Sequence, residues 1–373
     1  MGYRGCRTRR AIAWTISLTA VAAVAPAAAT ASVPSVPEPA PRAQAQPVAE
    51  PHFGYNEDWF SHRRRIRFVA RGGADTARAV ISWSVIEREP GVYRWSRYDR
   101  LYGRMLANGV RPLWVLADAP CWAREQSFDA CVADGHFAHP PAESRSYEFA
   151  VFAALVAQRY PEAVAIESWN EPNLWAFWRP QPDPGAAARL TAWVNAGVDA
   201  VDPSMPVLLG GLSPLLPSEL SPPKEVAYAD FLRRAYAAVG PGHWDAVAMH
   251  PFPRFQKSAH YLRDIEKHLD RVRRSLRAAG DRGAPIWVTE IGLSTRGLRP
   301  YSPAEQAKGL VRIYRGLSAR GDVPAIIIHR VLDQPKSLRT AESGWGVVRA
   351  GGRPKPAYCA LAAERGKRCR KDR

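Results

Sequence analysis

From residue 52 onward the chain alternates short apolar runs with longer amphipathic stretches. The runs are HFGYN, RAVISW, RPLWVLA, AVAIESW, VLLGG, DAVAMH, PIWVTE and PAIIIH. Several are apolar at nearly every position, the pattern of parallel strands buried on both faces. Their expected ends are Asn56, Trp83, Ala117, Asn170, Gly210, His250, Glu290 and His329. From Asn170 on, these ends recur about every 40 residues, room for a strand, a helix and two loops. The intervening stretches read as helices. Leu190, Trp193, Val194, Val198 and Val201 fall at helical spacing. SPAEQ sets Ser302 at an N-cap, Pro303 at the first helical position and Glu305 where a capping box needs it. Leu310, Ile313, Tyr314 and Leu317 follow as an apolar face.

Eight strand–helix units over residues 52–360 predict an α/β protein with a (β/α)8 TIM-barrel fold. A doubly wound sheet would carry a nucleotide fingerprint, and ARGGAD at 70–75 is not one. The widest interval, between Ala117 and Asn170, contains Cys121, Cys131 and a Pro/His-rich stretch. It reads as an enlarged loop after the third strand, on the face where barrel sites form.

The first 51 residues do not belong to this pattern. MGYRGCRTRR is cationic, AIAWTISLTAVAAV is a short apolar run, and ATA at 29–31 fits a small-residue cleavage site. Residues 1–31 therefore read as a signal peptide, with Arg9 and Arg10 hinting at twin-arginine export. Pro26 leaves the run too short for a transmembrane anchor. Residues 32–51 read as a Pro/Ala-rich linker and 361–373 as a basic tail. A secreted protein is expected, with the cell wall as a candidate location. Outside the leader's Cys6, four cysteines remain, for which three pairings exist. Proximity in an oxidising compartment favours Cys121–Cys131 and Cys359–Cys369. A metal site is the alternative, but no CxxC or neighbouring His pair supports it. The net charge is +17, part of it in the leader's Arg4, Arg7, Arg9 and Arg10 and part in the tail RGKRCRKDR. The remaining surplus suits an anionic polymer such as an acidic glycan, or is a solvated arginine-rich surface. Export and the lack of a recognition module speak against nucleic acid.

In a barrel, reactive side chains stand at the C-terminal ends of strands. Here those ends supply Asn170 and Glu171, His250, and Glu290. Two carboxylates from the fourth and seventh strands would face each other across one mouth. That is the arrangement for glycoside hydrolysis, in which one carboxyl attacks the anomeric carbon and the other protonates the departing oxygen.

SWNEPN and IWVTEIG resemble the active-site segments of clan A glycoside hydrolases, above all families 39 and 5. ARAVISWSVIEREPGVYRWSRYD, GVRPLWVLADAPCWA, DAVAMHPF and GWGVVRAGGRPKPAY extend the resemblance through nearly all of residues 52–360. It implies a retaining O-glycosidase with Glu171 as acid/base and Glu290 as nucleophile. By the same resemblance Asn170 holds the sugar 2-hydroxyl, Arg78 supports the nucleophile and His250 orders the site. Trp83, Trp175, Trp178 and Trp345 are expected to contact sugar, beside Trp122 and Phe177, whereas Trp169 is expected to pack in the core. Two positions depart from the family. Phe252 stands where a Tyr is common, and the eighth run ends IIIHRV without the usual Trp, for which Trp345 in GWGVV could substitute. No metal or organic cofactor is implied, since two carboxylates suffice. A carbohydrate substrate is expected, and the oligomeric state is not readable. A carbohydrate-binding barrel without catalysis and a transglycosylase are the alternatives.

Overall fold

A computed structural model describes residues 35–39, 50–56, 63–135, 137–253, 260–334 and 340–369. The expected leader, most of the linker and the end of the basic tail lie outside the described residues. Eight parallel strands close into a barrel in chain order. β1 (His52–Asn56) leads to α1 (Arg63–Arg71), β2 (Thr76–Ser82), the single turn α2 (Trp83–Ile86) and α3 (Ser96–Leu106). β3 (Arg111–Ala117), α4 (Phe128–Asp134), α5 (Ser146–Arg159), β4 (Ala165–Asn170) and α6 (Pro184–Asp199) follow. β5 (Val207–Leu212), α7 (Tyr228–Val239), β6 (Ala246–Met249) and α8 (Tyr261–Ala278) come next. β7 (Ile286–Ile291), α9 (Pro303–Ser318), β8 (Ala325–His329) and α10 (Pro356–Glu364) complete the chain. β8 closes on β1 from His52 opposite Ala325 to Asn56 opposite His329. The expected (β/α)8 barrel is the observed fold.

Strand alternation divides the interior into two layers. One parity faces the barrel axis. Arg78 pairs across from Leu113, Leu113 from Ala165, and Val115 from Glu167. Leu113, Val115, Val164, Ala165, Leu208, Ala246, Ala248, Trp287 and Ala325 form the inner apolar cluster. The opposite parity, including Trp114, Ile166, Leu209, Val247, Val288 and Ile326, packs beneath the helices in a much larger cluster. With both faces buried, the runs had to be apolar throughout.

Strand ends depart from expectation by a residue or two, at Ser82, Leu212, Met249 and Ile291. The α9 capping box is present, with Ser302 Oγ accepting from Glu305 N at 3.2 Å and Glu305 Oε2 accepting from Ser302 N at 2.7 Å. Val201, expected on the apolar face of α6, lies beyond its end and is 43% exposed. Both expected disulfides occur, with Cα separations of 5.6 Å for Cys121–Cys131 and 5.0 Å for Cys359–Cys369. The first ties the enlarged β3 loop to α4. The second draws in the start of the tail, where α10 continues past residue 360 and Arg365 Nη2 donates to Asp75 Oδ2 at 3.1 Å. Among the described residues no helix is long and apolar enough to cross a membrane.

Candidate active site

The segment ESWNEPN closes β4 by leaving the strand conformation. Trp169 and Glu171 adopt left-handed φ values of 72° and 40°, and Asp118, just beyond β3, has φ 61°. Such residues cost about 1–3 kcal/mol each and persist only where neighbours hold them. The neighbours here are specific. Glu171 N donates to Gly211 O at 3.0 Å, and Trp169 Nε1 to Phe177 O at 2.6 Å. Asn173, fully buried, donates to Ser213 O and Val226 O at 3.1 and 3.0 Å and accepts from Ser213 N at 3.0 Å. The turn is thereby latched to the end of β5. Trp169, Glu171 and Asp118 all line a cavity of about 1000 Å³ that also meets Arg78, Asn170, Glu290, Phe252, His329, Glu342 and Trp345.

Glu290, on β7, accepts from Arg78 Nη1 at 2.6 Å and Asn56 Nδ2 at 2.8 Å, and its other oxygen lies 3.2 Å from His329 Nδ1. Glu171 Oε1 is 2.9 Å from His250 Nδ1, and the same nitrogen is 3.9 Å from Glu290 Oε2. The nearest oxygens of the two carboxyl groups therefore lie no more than about 7 Å apart. Arg78 organises the floor beneath them. Its Nε and Nη2 both donate to Glu167 at 2.8 Å, and Nη2 also reaches Asn170 Oδ1 at 2.8 Å. Glu167 accepts a further bond from Gly211 N at 2.7 Å.

Glu167 and Glu171 are four residues apart and shifted in opposite directions. Burial acts to raise both. At Glu167 the Arg78 guanidinium outweighs it, and the carboxyl is held below its usual range. At Glu171 burial prevails over the pull of Arg78 and His329, and the pKa is pushed up to about 7. Burial also lowers His250 to about 4 despite the Glu290 charge, so the ring is neutral at pH 7. Its Nε2 is buried without a hydrogen-bond partner. An unpaired lone pair is cheaper than an unpaired N–H, so the proton sits on Nδ1 and is donated to Glu171. Gly211 makes this packing possible: a Cβ there would lie 2.1 Å from His250 Nε2 and 2.8 Å from Glu167 Oε1. Across the cavity, a hydrogen bond from His329 holds Glu342 below its usual pKa.

Of the residues expected from sequence, Glu171, Glu290, Asn170, Arg78, His250 and Trp345 come together here, with Trp345 edge-on to Phe252 at 5.0 Å. Three tryptophans do not. Trp83 continues the outward parity of β2, so it is fully buried under α5, with Nε1 donating to Glu87 Oε2 at 2.6 Å. Trp178 is 3% exposed and packs edge-on against Trp169 at 5.8 Å. Trp175 faces Arg179, whose guanidinium lies 4.1 Å from the ring centroid, and does not border the cavity. Phe177 from that loop lines it instead, as does Trp169. Trp122 stacks edge-on with Trp83 at 5.1 Å. Sequence reasoning missed Glu167, Asn56, His329, Glu342 and Asp118. Glu167 was detectable as a charge inside an apolar strand. Asn56 and His329 were visible only as strand ends, and Glu342 comes from a short 3-10 turn, Ala341–Gly344, beyond β8.

Fold and site together define a (β/α)8 barrel whose mouth opposes two carboxylates. No family model and no curated protein matches the chain. Solved structures similar to it include glycoside hydrolases. A family 39 glycoside hydrolase from Bacteroides cellulosilyticus WH2 superposes with a TM-score of 0.62 at 19% identity, over 84% of this chain and 63% of that one. A monomeric β-xylosidase from Caulobacter crescentus CB15 gives 0.63 at 20%, over 86% and 69%. An exo-β-1,4-mannosidase from Opitutaceae bacterium strain TAV5 gives 0.59 at 18%, over 85% and 59%. The chain thus spans just under two thirds of the first of these proteins, and at such identities the likeness establishes the fold.

Proposed function

We propose that this protein is a secreted retaining O-glycoside hydrolase of the clan A type, acting on a polysaccharide or oligosaccharide. The observation that carries the reading is Glu171 and Glu290 meeting around one His250 nitrogen, one carboxyl raised to about 7 and the other held by Arg78 and Asn56. A limit of about 7 Å between nearest oxygens accommodates the separation of about 5–5.5 Å used for retention. Glu290 attacks the anomeric carbon as the glycosidic C–O bond breaks, and Glu171 gives its proton to the leaving oxygen. Glu171, now ionised, takes a proton from water, whose oxygen displaces Glu290 from the anomeric carbon. Net configuration is retained. Asn170 offers its amide N–H groups to the sugar while its carbonyl oxygen is engaged by Arg78. His250 keeps Glu171 oriented, and Trp345 and Phe252 form an apolar wall on which a sugar face can rest.

The leader at 1–31, the linker at 32–51 and the two disulfides support export. The basic surplus that remains outside the leader favours a glycan bearing acid groups. A binding-only barrel is favoured by the departures from the family: Phe252 stands where a Tyr is common, and the eighth run ends IIIHRV without the usual Trp. Reducing-end release from a panel of neutral and acidic polysaccharides separates the two. Wild type is expected to release ends, and Glu290→Ala and Glu171→Ala to lose at least about a thousandfold in kcat while staying folded. Full turnover in either variant defeats the assignment. Proton NMR of the first-formed product checks retention.

A further inference from the structure

The cavity does not end at the carboxylates. Its wall continues onto α3, where Arg97, Arg100 and Arg104 line it together with Leu101. Spacings of three and four residues put these side chains on one helix face, over a rise of about 10 Å. Tyr98 and Met105, on the adjoining face, are buried against the barrel, so the row stands at the helix edge turned to the cavity. Tyr98 Oη accepts from Ser82 N at 2.9 Å, which fastens the start of α3 to the end of the strand that carries Arg78. Asp99, the acid of this helix, is gripped by Arg159 with two bonds of 2.7 Å and also feels the charge of Arg100. The acid bordering the row, Asp118, is turned to Ser82, and Arg124 shares its charge. α1, which packs beside α3, reads RRRIRFVAR without an acid.

We infer that the α3 face of the cavity is an anion-recognising subsite. Arg97, Arg100 and Arg104 engage carboxylate or sulfate groups on sugar units flanking the one that is cleaved. The inference rests on the cavity being the glycan site, and it narrows the substrate to an acidic glycan. Guanidinium groups suit this task, since their planar donor pairs match both oxyanions. The row lies on a helix outside the barrel, while Glu171 and Glu290 stand at strand ends within it. The acid group therefore belongs to a neighbouring unit, and the reacting sugar meets the carboxylates without like-charge repulsion.

The test is affinity electrophoresis of the full chain in gels containing glucuronoxylan or polygalacturonate, each beside its carboxyl-reduced form, and carrageenan beside its desulfated form. The carboxylate and sulfate pairs tell the two anions apart. Wild type is expected to bind at least one acidic polymer about tenfold more tightly than its neutral counterpart, with the gap closing as salt rises. A triple variant R97Q, R100Q and R104Q should lose that preference. A control triple R233Q, R234Q and R277Q, on exposed positions of α7 and α8 with the same change in net charge, should keep it. Equal binding of acidic and neutral forms, binding of neither, or equal loss in both triples overturns the inference. Reducing-end release is read in parallel. Acid-selective binding without release in any polymer would defeat the hydrolase and leave the subsite standing.

Discussion

The barrel interior changes character along its axis. In the lower half, Leu113, Val115, Ala165, Leu208, Ala246, Ala248 and Ala325 meet one another, with Trp287 across the floor. Toward the mouth the inward positions are Asn56, Arg78, Glu167, His250 and His329, all at most 9% exposed, with Glu167 two residues beyond Ala165 and His250 two beyond Ala248. The lower half is stabilised by area removed from water and tolerates any residues of suitable volume. The upper half is stabilised only if each charge meets its partner, because burial penalises ions whatever their sign. Arg78 satisfies Glu167 and Glu290 with short bonds, while among the described residues Glu171 receives a side-chain hydrogen bond only from the neutral His250. That inequality is what separates two glutamates four residues apart into one carboxyl held below its usual pKa and one pushed up to about 7.

The contrast can be broken most severely at Arg78. Arg78→Met strands a buried Glu167 and should cost about 3–5 kcal/mol in chemical denaturation. In the wild type, Glu167 has a depressed folded pKa, so its contribution is full above the unfolded value of 4.5 and fades as pH falls. In the variant the burial penalty is uncompensated, and stability should fall as pH rises. A Leu113→Ala change in the lower half would lose about 2–5 kcal/mol with little dependence on pH.

The proton on Glu171 gives a second handle. With a pKa of about 7, kcat should drop roughly tenfold per unit at higher pH. An aryl glycoside whose leaving group needs no proton should abolish that alkaline limb in the first step, and a limb unchanged with such a substrate would remove Glu171 from the role. Next in size is Gly211→Ala, which forces His250 and Glu167 apart from the backbone of β5. Overpacking of this kind costs about 1–3 kcal/mol, and kcat should suffer more than KM. The smallest effect belongs to Trp175→Ala. That ring faces Arg179 outside the cavity, so kcat/KM should stay within about twofold, whereas a larger loss would return it to the sugar path.

Periodicity made the barrel legible, because parallel strands buried on both faces leave uninterrupted apolar runs. Glu171, Glu290, Asn170 and His250 were legible for a related reason: polar residues ending such runs stand at the mouth. Aromatic residues were not. Trp83 and Trp345 look alike in sequence, but strand parity sends Trp83 under the helices, and the chain beyond β8 carries Trp345 back over the mouth. Glu342 and Asp118 were equally hidden, since loop paths follow no period.

Sequence alone determined the eight-unit barrel, set two glutamates at the ends of its fourth and seventh runs and favoured the two disulfide pairs that form. Each of these follows from local pattern or short spacing along the chain. Tertiary structure alone decided that Arg78 serves Glu167 as well as Glu290, that His250 is neutral and bonded to Glu171, and that the arginines of α3 border the same cavity. Those facts depend on which charges meet across strands far apart in sequence and how deeply each is buried. Only the closed barrel sets both.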